Sequence, residues 1–141
     1  MADPTGGIPP LPRALRQLMG PLSTSASGMA RQQKFIEVIS NNIANAETTR
    51  TADGTPYKRE VAIAGTDRNG ALTTTVQQDT TDGRVVYDPG HPDHDAAGYV
   101  HYPNVDLATE TVDLMVARRM HEANATVFDA AKAMLRRALD I

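Results

Sequence analysis

The sequence predicts a mainly α-helical fold with a small β insertion: long N- and C-terminal helices pair as a coiled-coil hairpin around a short β-strand unit. Three observations carry that expectation. Apolar residues recur every seven positions near both ends of the 141-residue chain, the spacing of a helix packed along another helix. Between them the period shortens to two and turn residues multiply. Only 4% of the residues are aromatic and none is tryptophan, so helix-on-helix packing, rather than a large globular core, is the natural use of the aliphatic side chains.

Residues 1–22 read as a flexible, Pro/Gly-rich tail. Pro4, Gly6, Gly7, Pro9, Pro10 and Pro12 interrupt regular structure. Pro12 can open a short helix over 13–19, which Gly20-Pro21 then stops. The tail does not read as a secretory signal: its basic residues come late, and no apolar stretch of roughly 7–15 residues precedes a cleavage site.

The first long helix is predicted over 23–46, with Ser23 or Ser25 as its cap. Leu22, Met29, Ile36 and Ile43 recur every seven residues, and Ala26 and Ile39 supply a second rank. Such a seam stays aligned only against another helix. Asn41, Asn42 and Asn45 crowd the last turn, although asparagine is a poor helix former. Two readings stay open. The asparagines fray the helix into a turn, or their carboxamides donate and accept across a packed contact between subunits.

Residues 47–104 form a small β-rich outer unit. Strands are predicted over 57–64, 72–76, 84–87 and 99–102, with turns at Asp53 to Pro56 and Asp67 to Gly70. The unit has too few apolar residues to stand alone, so it leans on the helices or on neighbouring chains. Within it, His91, Asp93, His94 and Asp95 are ligand types that zinc accepts. Pro89, Gly90 and Pro92 make the same stretch a turn, and no rigid set of supporting groups is evident beside it.

The second long helix is predicted over about 107–140, capped by Asp106, with Glu110 and Asp113 suiting its positive end and Arg136 and Arg137 its negative end. Leu107, Leu114, Phe128 and Leu135 share one seven-residue rank. Ala117, Ala131 and Ala138 make a parallel one, flanked by Met120, Val127 and Met134. His121 interrupts the leucine rank and Asn124 the alanine rank. Such a polar layer is either a satisfied pair, a slightly rotated exposed face, or a device that fixes register and partner. Neither long helix can bury its stripe alone, so residues 23–46 and 105–141 are expected to pair antiparallel as one helical domain.

Composition narrows the function. A formal charge of −3 without a basic cluster gives no bias toward nucleic acid. The absence of cysteine excludes disulfides, thiol catalysis and thiolate metal sites. No run approaches the roughly 20 apolar residues that span a bilayer.

The pattern Ser40-Asn41-Asn42-Ile43-Ala44-Asn45-Ala46-Glu47-Thr48 resembles the N-terminal signature of the bacterial flagellar axial proteins, the rod, hook and filament-junction group. The runs Val86 to Pro92, Gly98 to Val100 and Pro103 to Asp106 resemble the proximal-rod members of that family, and the resemblance covers about residues 23–141. The family commonly carries tyrosine where this chain has His121 in Arg119 to Asn124. The resemblance implies a structural subunit of a hollow helical drive shaft that transmits torque and carries the export channel. It implies placement in the periplasmic part of the flagellar basal body, with export by the flagellar type III apparatus and no cleaved signal. Partners would be other copies of the chain, other rod proteins, the rod-base adaptor and the MS ring. No cofactor, metal or catalytic residue is expected. The subunit interface is expected along Leu22, Met29, Ile36, Ile39 and Ile43 with the three asparagines, and along Leu114, Ala117, His121, Asn124, Phe128, Ala131 and Leu135. Two other classes are set against this: a metal-dependent hydrolase using the His91–Asp95 loop, and a generic coiled-coil adaptor. The hydrolase lacks a nucleophile motif, a glycine-rich phosphate loop and a convergent set of acids.

Overall fold

The computed structural model describes Pro10 and residues 12–140. Most of the proline- and glycine-rich opening expected to be a tail, with Ile141, lies outside them. The element order is α1 (Arg13–Ala44), β1 (Glu60–Thr66), β2 (Leu72–Gln78), β3 (Val85–Tyr87), β4 (Tyr99–His101) and α2 (Leu107–Leu139).

The first helix begins ten residues earlier than the sequence suggests, because Gly20-Pro21 does not stop it. Proline inside a helix removes one N–H donor. Here Gln17, whose carbonyl loses that donor, and Pro21 are both exposed, and the Thr24 hydroxyl donates to the Gly20 carbonyl one turn back at 3.0 Å. Ser23 and Ser25 therefore cap nothing; Ser25 is a buried mid-helix residue. At the other end one of the three asparagines terminates the helix. Asn45 is the C-cap residue, and its side-chain amide donates to the Asn41 carbonyl at 2.9 Å. Asp106 caps α2 as expected, its carboxylate accepting the Ala108 N–H at 2.9 Å. That bond, with others from Thr109, holds the Asp106 carboxyl below its ordinary range.

The two long helices touch along an antiparallel register: Asn42 meets Glu110, Gln32 meets Met120 and Gly28 meets Asn124. On α2 the less exposed face is the expected one, with Ala117 and Ala131 buried and Leu114, His121, Asn124, Phe128 and Leu135 half-buried. On α1 the seam is rotated. Ser25, Gln32 and Ile39, again seven apart, are buried, as is Ala46 just past the helix end, while Leu22, Met29, Ile36 and Ile43 are only half-buried. The offset of three or four residues turns the face by roughly 50°. Small residues explain it. A Cβ on Gly28 would stand 2.9 Å from Asn124 Nδ2, so the backbone of α1 approaches α2 more closely there than a leucine rank would permit.

All four predicted strands form, as two separate antiparallel ribbons rather than one sheet. In the first, Glu60 faces Gln78 and Thr66 faces Leu72, and the ribbon lies back along α1. In the second, Val86 faces Val100, which is fully buried. Arg84 pins this ribbon below the end of α1, stacking over the Tyr102 ring at 4.2 Å and pairing with Glu47 at 2.8 Å.

Candidate functional site: a polar joint and the helix faces it orients

Helix α1 ends where β1 begins to pack against it, and Asn42 is the meeting point. Its Nδ2 donates to the Glu60 carbonyl at 2.8 Å and to Glu110 Oε2 at 3.1 Å. Its Oδ1 accepts the Tyr57 hydroxyl and the Glu60 N–H, each at 2.9 Å. A primary amide has two donors and two acceptor sites, so Asn42 is saturated, at 1% exposure. Of the asparagines expected at a contact between subunits, Asn42 directs its carboxamide into its own chain.

Glu110 completes the joint from α2. It is fully buried and accepts the Nε–H of Arg59, whose guanidinium also lies 4.0 Å from Asp113. A carboxylate so enclosed is tolerated because a cation and an amide both hydrogen-bond it. The Arg59 N–H donates to Asn104 Oδ1 at 2.8 Å, and Asn104 Nδ2 reaches the Asp79 carbonyl at 3.0 Å. Tyr57 is pushed up to about 12 by burial, and then by the nearby Glu60 and Glu110 carboxyls. Residues from α1, the chain entering β1, the end of β2 and the start of α2 thus meet in one network.

The spacing held a sign of this joint. Glu110 falls seven residues before Ala117, on the alanine rank itself, and a carboxylate on a packed rank needs a partner. Tyr57, Arg59 and Asn104 carry no such periodic mark.

The other expected interface residues stay on the helices. Ile39 is buried, Asn41 is exposed, and Asn45 is half-buried, its Oδ1 accepting the Thr48 hydroxyl at 3.1 Å. His121 carries a buried Nδ1 without a hydrogen-bond partner among the described residues. Outside the seam a second apolar rank is open: Val116, Met120, Val127 and Met134 are each about half exposed or more.

The histidine loop is occupied with its own backbone. His91 Nδ1 accepts the Asp93 N–H at 3.0 Å, and His94 Nδ1 lies 2.7 Å from the Asp95 carbonyl. Asp95 accepts the N–H groups of Tyr99 and Ala97 at 2.9 Å each and faces His101 Nε2 at 3.3 Å. The Tyr99 bond is the main reason its carboxyl sits below the usual range, with His101 and Ala97 assisting. Among the described residues no three His, Asp or Glu side chains are grouped to hold a metal. The hydrolase reading therefore has no support in the loop's geometry.

Two long helices held by a buried polar joint, with apolar ranks left open on their outer faces, are the geometry of a helical packing subunit rather than of a catalytic pocket. A family model described as flagella basal body rod protein matches residues 22–50, and the C-terminal model of the flagellar basal body rod FlgEFG proteins matches 96–141. The flagellar basal-body rod protein FlgC of Borreliella burgdorferi is 37% identical, with 88% of this chain and 97% of that protein covered. FlgC of Bacillus subtilis is 36% identical, covering 85% and 95%, and FlgC of Salmonella typhimurium 32%, covering 88% and 97%. The chain belongs to the FlgC family of flagellar basal-body rod proteins. That family is structural rather than enzymatic.

Proposed function

We propose that the chain is a structural subunit of the bacterial flagellar basal-body rod, in its proximal part. The observation that carries this is the open apolar rank of α2, Val116, Met120, Val127 and Met134, on a chain whose relatives are named as rod proteins. About 33 residues at 1.5 Å each make α2 a rod near 50 Å long, and α1, 32 residues running antiparallel to it, covers one face and leaves the rank at Val116, Met120, Val127 and Met134 open. Residues 23–46 and 105–141 act as one coiled-coil domain, and 47–104 as an outer unit fixed to it by the Asn42 joint. Copies of the chain, together with other rod proteins, the rod-base adaptor and the MS ring, build a hollow shaft in the periplasm that transmits torque and carries the export channel. The subunit reaches it through the flagellar type III apparatus without a cleaved signal. Load passes through many aliphatic helix contacts, and polar residues such as Asn124 set their register.

Deletion of the gene, with complementation by a tagged copy, tests the reading. Loss of swimming, loss of rods and recovery of the tagged chain in purified basal bodies are expected. Swimming cells with intact rods and no chain in them would end it.

A further inference from the structure

We infer that the groove between α1, α2 and β1 receives the last turn of α2 from a second copy of the chain, an inference that rests on the rod-subunit reading. The groove encloses about 420 Å³ and is walled by apolar groups, Phe35, Val38, Val61 and Met120 among them. Its two ends differ in charge: Arg31 stands alone at one, and at the other Asp113, Glu60 and Glu110 share a single cation, Arg59. Arg31 marks one end, beside Gln32 and hence level with Met120. Its Nε is buried without a hydrogen-bond partner, and it enters none of the ion pairs among the described residues. Asp113 marks the other end, seven residues from Met120 and so about 10 Å along α2, with its side chain 48% exposed.

The last turn of α2 has the complementary layout. Leu139 is 60% exposed, while Leu135, one turn back on the same side, is half-buried on the chain's own seam. Arg136 precedes Leu139 and the exposed Asp140 follows it. Leu139 in the apolar wall, Asp140 toward Arg31 and Arg136 toward Asp113 fix one direction of entry. The chain's own last turn cannot fill the groove. The antiparallel register puts Leu139 level with Arg13, eighteen residues of α1 and so about 27 Å from Arg31. A contact between unlike surfaces of two copies repeats without closing, which is how a helical assembly grows.

The chain has no cysteine, so Ala64→Cys beside Arg31 in the groove and Leu139→Cys on the last turn supply the only thiols. Oxidised basal bodies carrying both are expected to give a ladder of cross-linked copies, which neither single variant gives. Arg31→Glu and Asp140→Arg should each lower recovery of the chain in rods by about tenfold with far-ultraviolet circular dichroism unchanged, and the combined reversal should restore it. Rods that form with both thiols present but yield no ladder overturn the groove contact and leave rod membership intact. A cross-link to a different rod protein overturns the choice of a second copy. If the thiol variant does not assemble, the charge pair decides: a combined reversal no better than either single change overturns the contact. Failure to find even the unaltered chain in rods overturns the function first and this inference with it.

Discussion

Asn42 on α1 and Glu110 on α2, 68 residues apart in sequence, share a buried hydrogen bond of 3.1 Å where the two helices meet the start of β1. One amide thereby fixes the end of α1 to both the ribbon and the second helix. Asn42→Leu removes four hydrogen bonds and strands the Glu60 backbone, the Tyr57 hydroxyl and one oxygen of Glu110. At about 1–3 kcal/mol for each stranded group, partly relieved by water, a loss of about 3 kcal/mol is expected. For a chain of this size that lowers Tm by roughly 10 °C in a thermal melt. Asn45→Leu, which removes only local bonds at the helix end, should shift Tm by far less.

Arg59 and Glu110 should behave as a coupled pair. Arg59→Met leaves a fully buried carboxylate without its cation, a change that typically costs about 3–5 kcal/mol. In a Glu110→Gln background there is no charge to strand, and the same Arg59→Met change should cost about 2 kcal/mol less. Denaturant melts of the four proteins measure the difference. Equal costs in the two backgrounds would mean that the pair is not coupled.

Tyr57 gives the joint a signature at high pH. Its hydroxyl is pushed up from 10.0 to about 12, so between those values the folded chain keeps a proton that the unfolded chain releases. Stability from this group is therefore complete below pH 10 and is lost as pH rises toward 12. Alkaline titration followed by tyrosinate absorbance should show one of the four tyrosines ionising late, and Tyr57→Phe should remove that phase. A wild-type titration with all four ionising together would contradict the geometry.

Much of this architecture was legible in the sequence, and the failures have physical causes. The α2 seam was visible because Leu114, Phe128, Ala117 and Ala131 mark both of its ranks with apolar residues. The α1 seam was not, because its true positions are small or polar: Ser25, Gly28, Gln32 and Asn42 carry no hydrophobic signal, whereas the rank beside them does. Pro21 signals a stop by local propensity, but with Gln17 and Pro21 both exposed the carbonyl that loses its donor is left to water. The three asparagines stand together in the sequence yet do different things. Asn45 ends the helix, Asn41 stays on the surface, and Asn42 alone is enclosed, a distinction set by tertiary contacts with Tyr57 and Glu60.

Two glycines predict opposite outcomes for one substitution. At Gly83 an added Cβ would lie 2.0 Å from the Tyr102 carbonyl oxygen and 2.7 Å from the Pro103 carbonyl carbon. Backbone cannot give way as a flexible side chain can, so Gly83→Ala should destabilise by about 1–3 kcal/mol and loosen the β3–β4 ribbon. Gly20 lies inside α1 with nothing within 4 Å of its Cβ position. Gly20→Ala should stabilise the helix by about 0.5–1 kcal/mol. Thermal melts of the two variants should move in opposite directions.

The last expectation concerns where the subunit is firm before it assembles. Among the described residues, burial on the helices is concentrated near the joint, at Val38, Ile39, Asn42, Glu110 and Ala117, whereas toward the far end only Ser25 and Ala131 are buried. That far end, Arg13 to Gly28 with Asn124 to Leu139, exposes Met19, Val127, Met134 and Leu139. A helix pair with so little covered area has small local stability, because the helix bonds there have little packing to support them. Hydrogen exchange on a verified monomer should therefore be slow at 38–46 and 110–117 and fast at both far ends. Incorporation into rods should then slow the far ends, as neighbouring chains cover their apolar ranks. Uniformly slow exchange along both helices in the monomer would show that α1 and α2 hold each other without neighbours, and the open ranks would need another explanation.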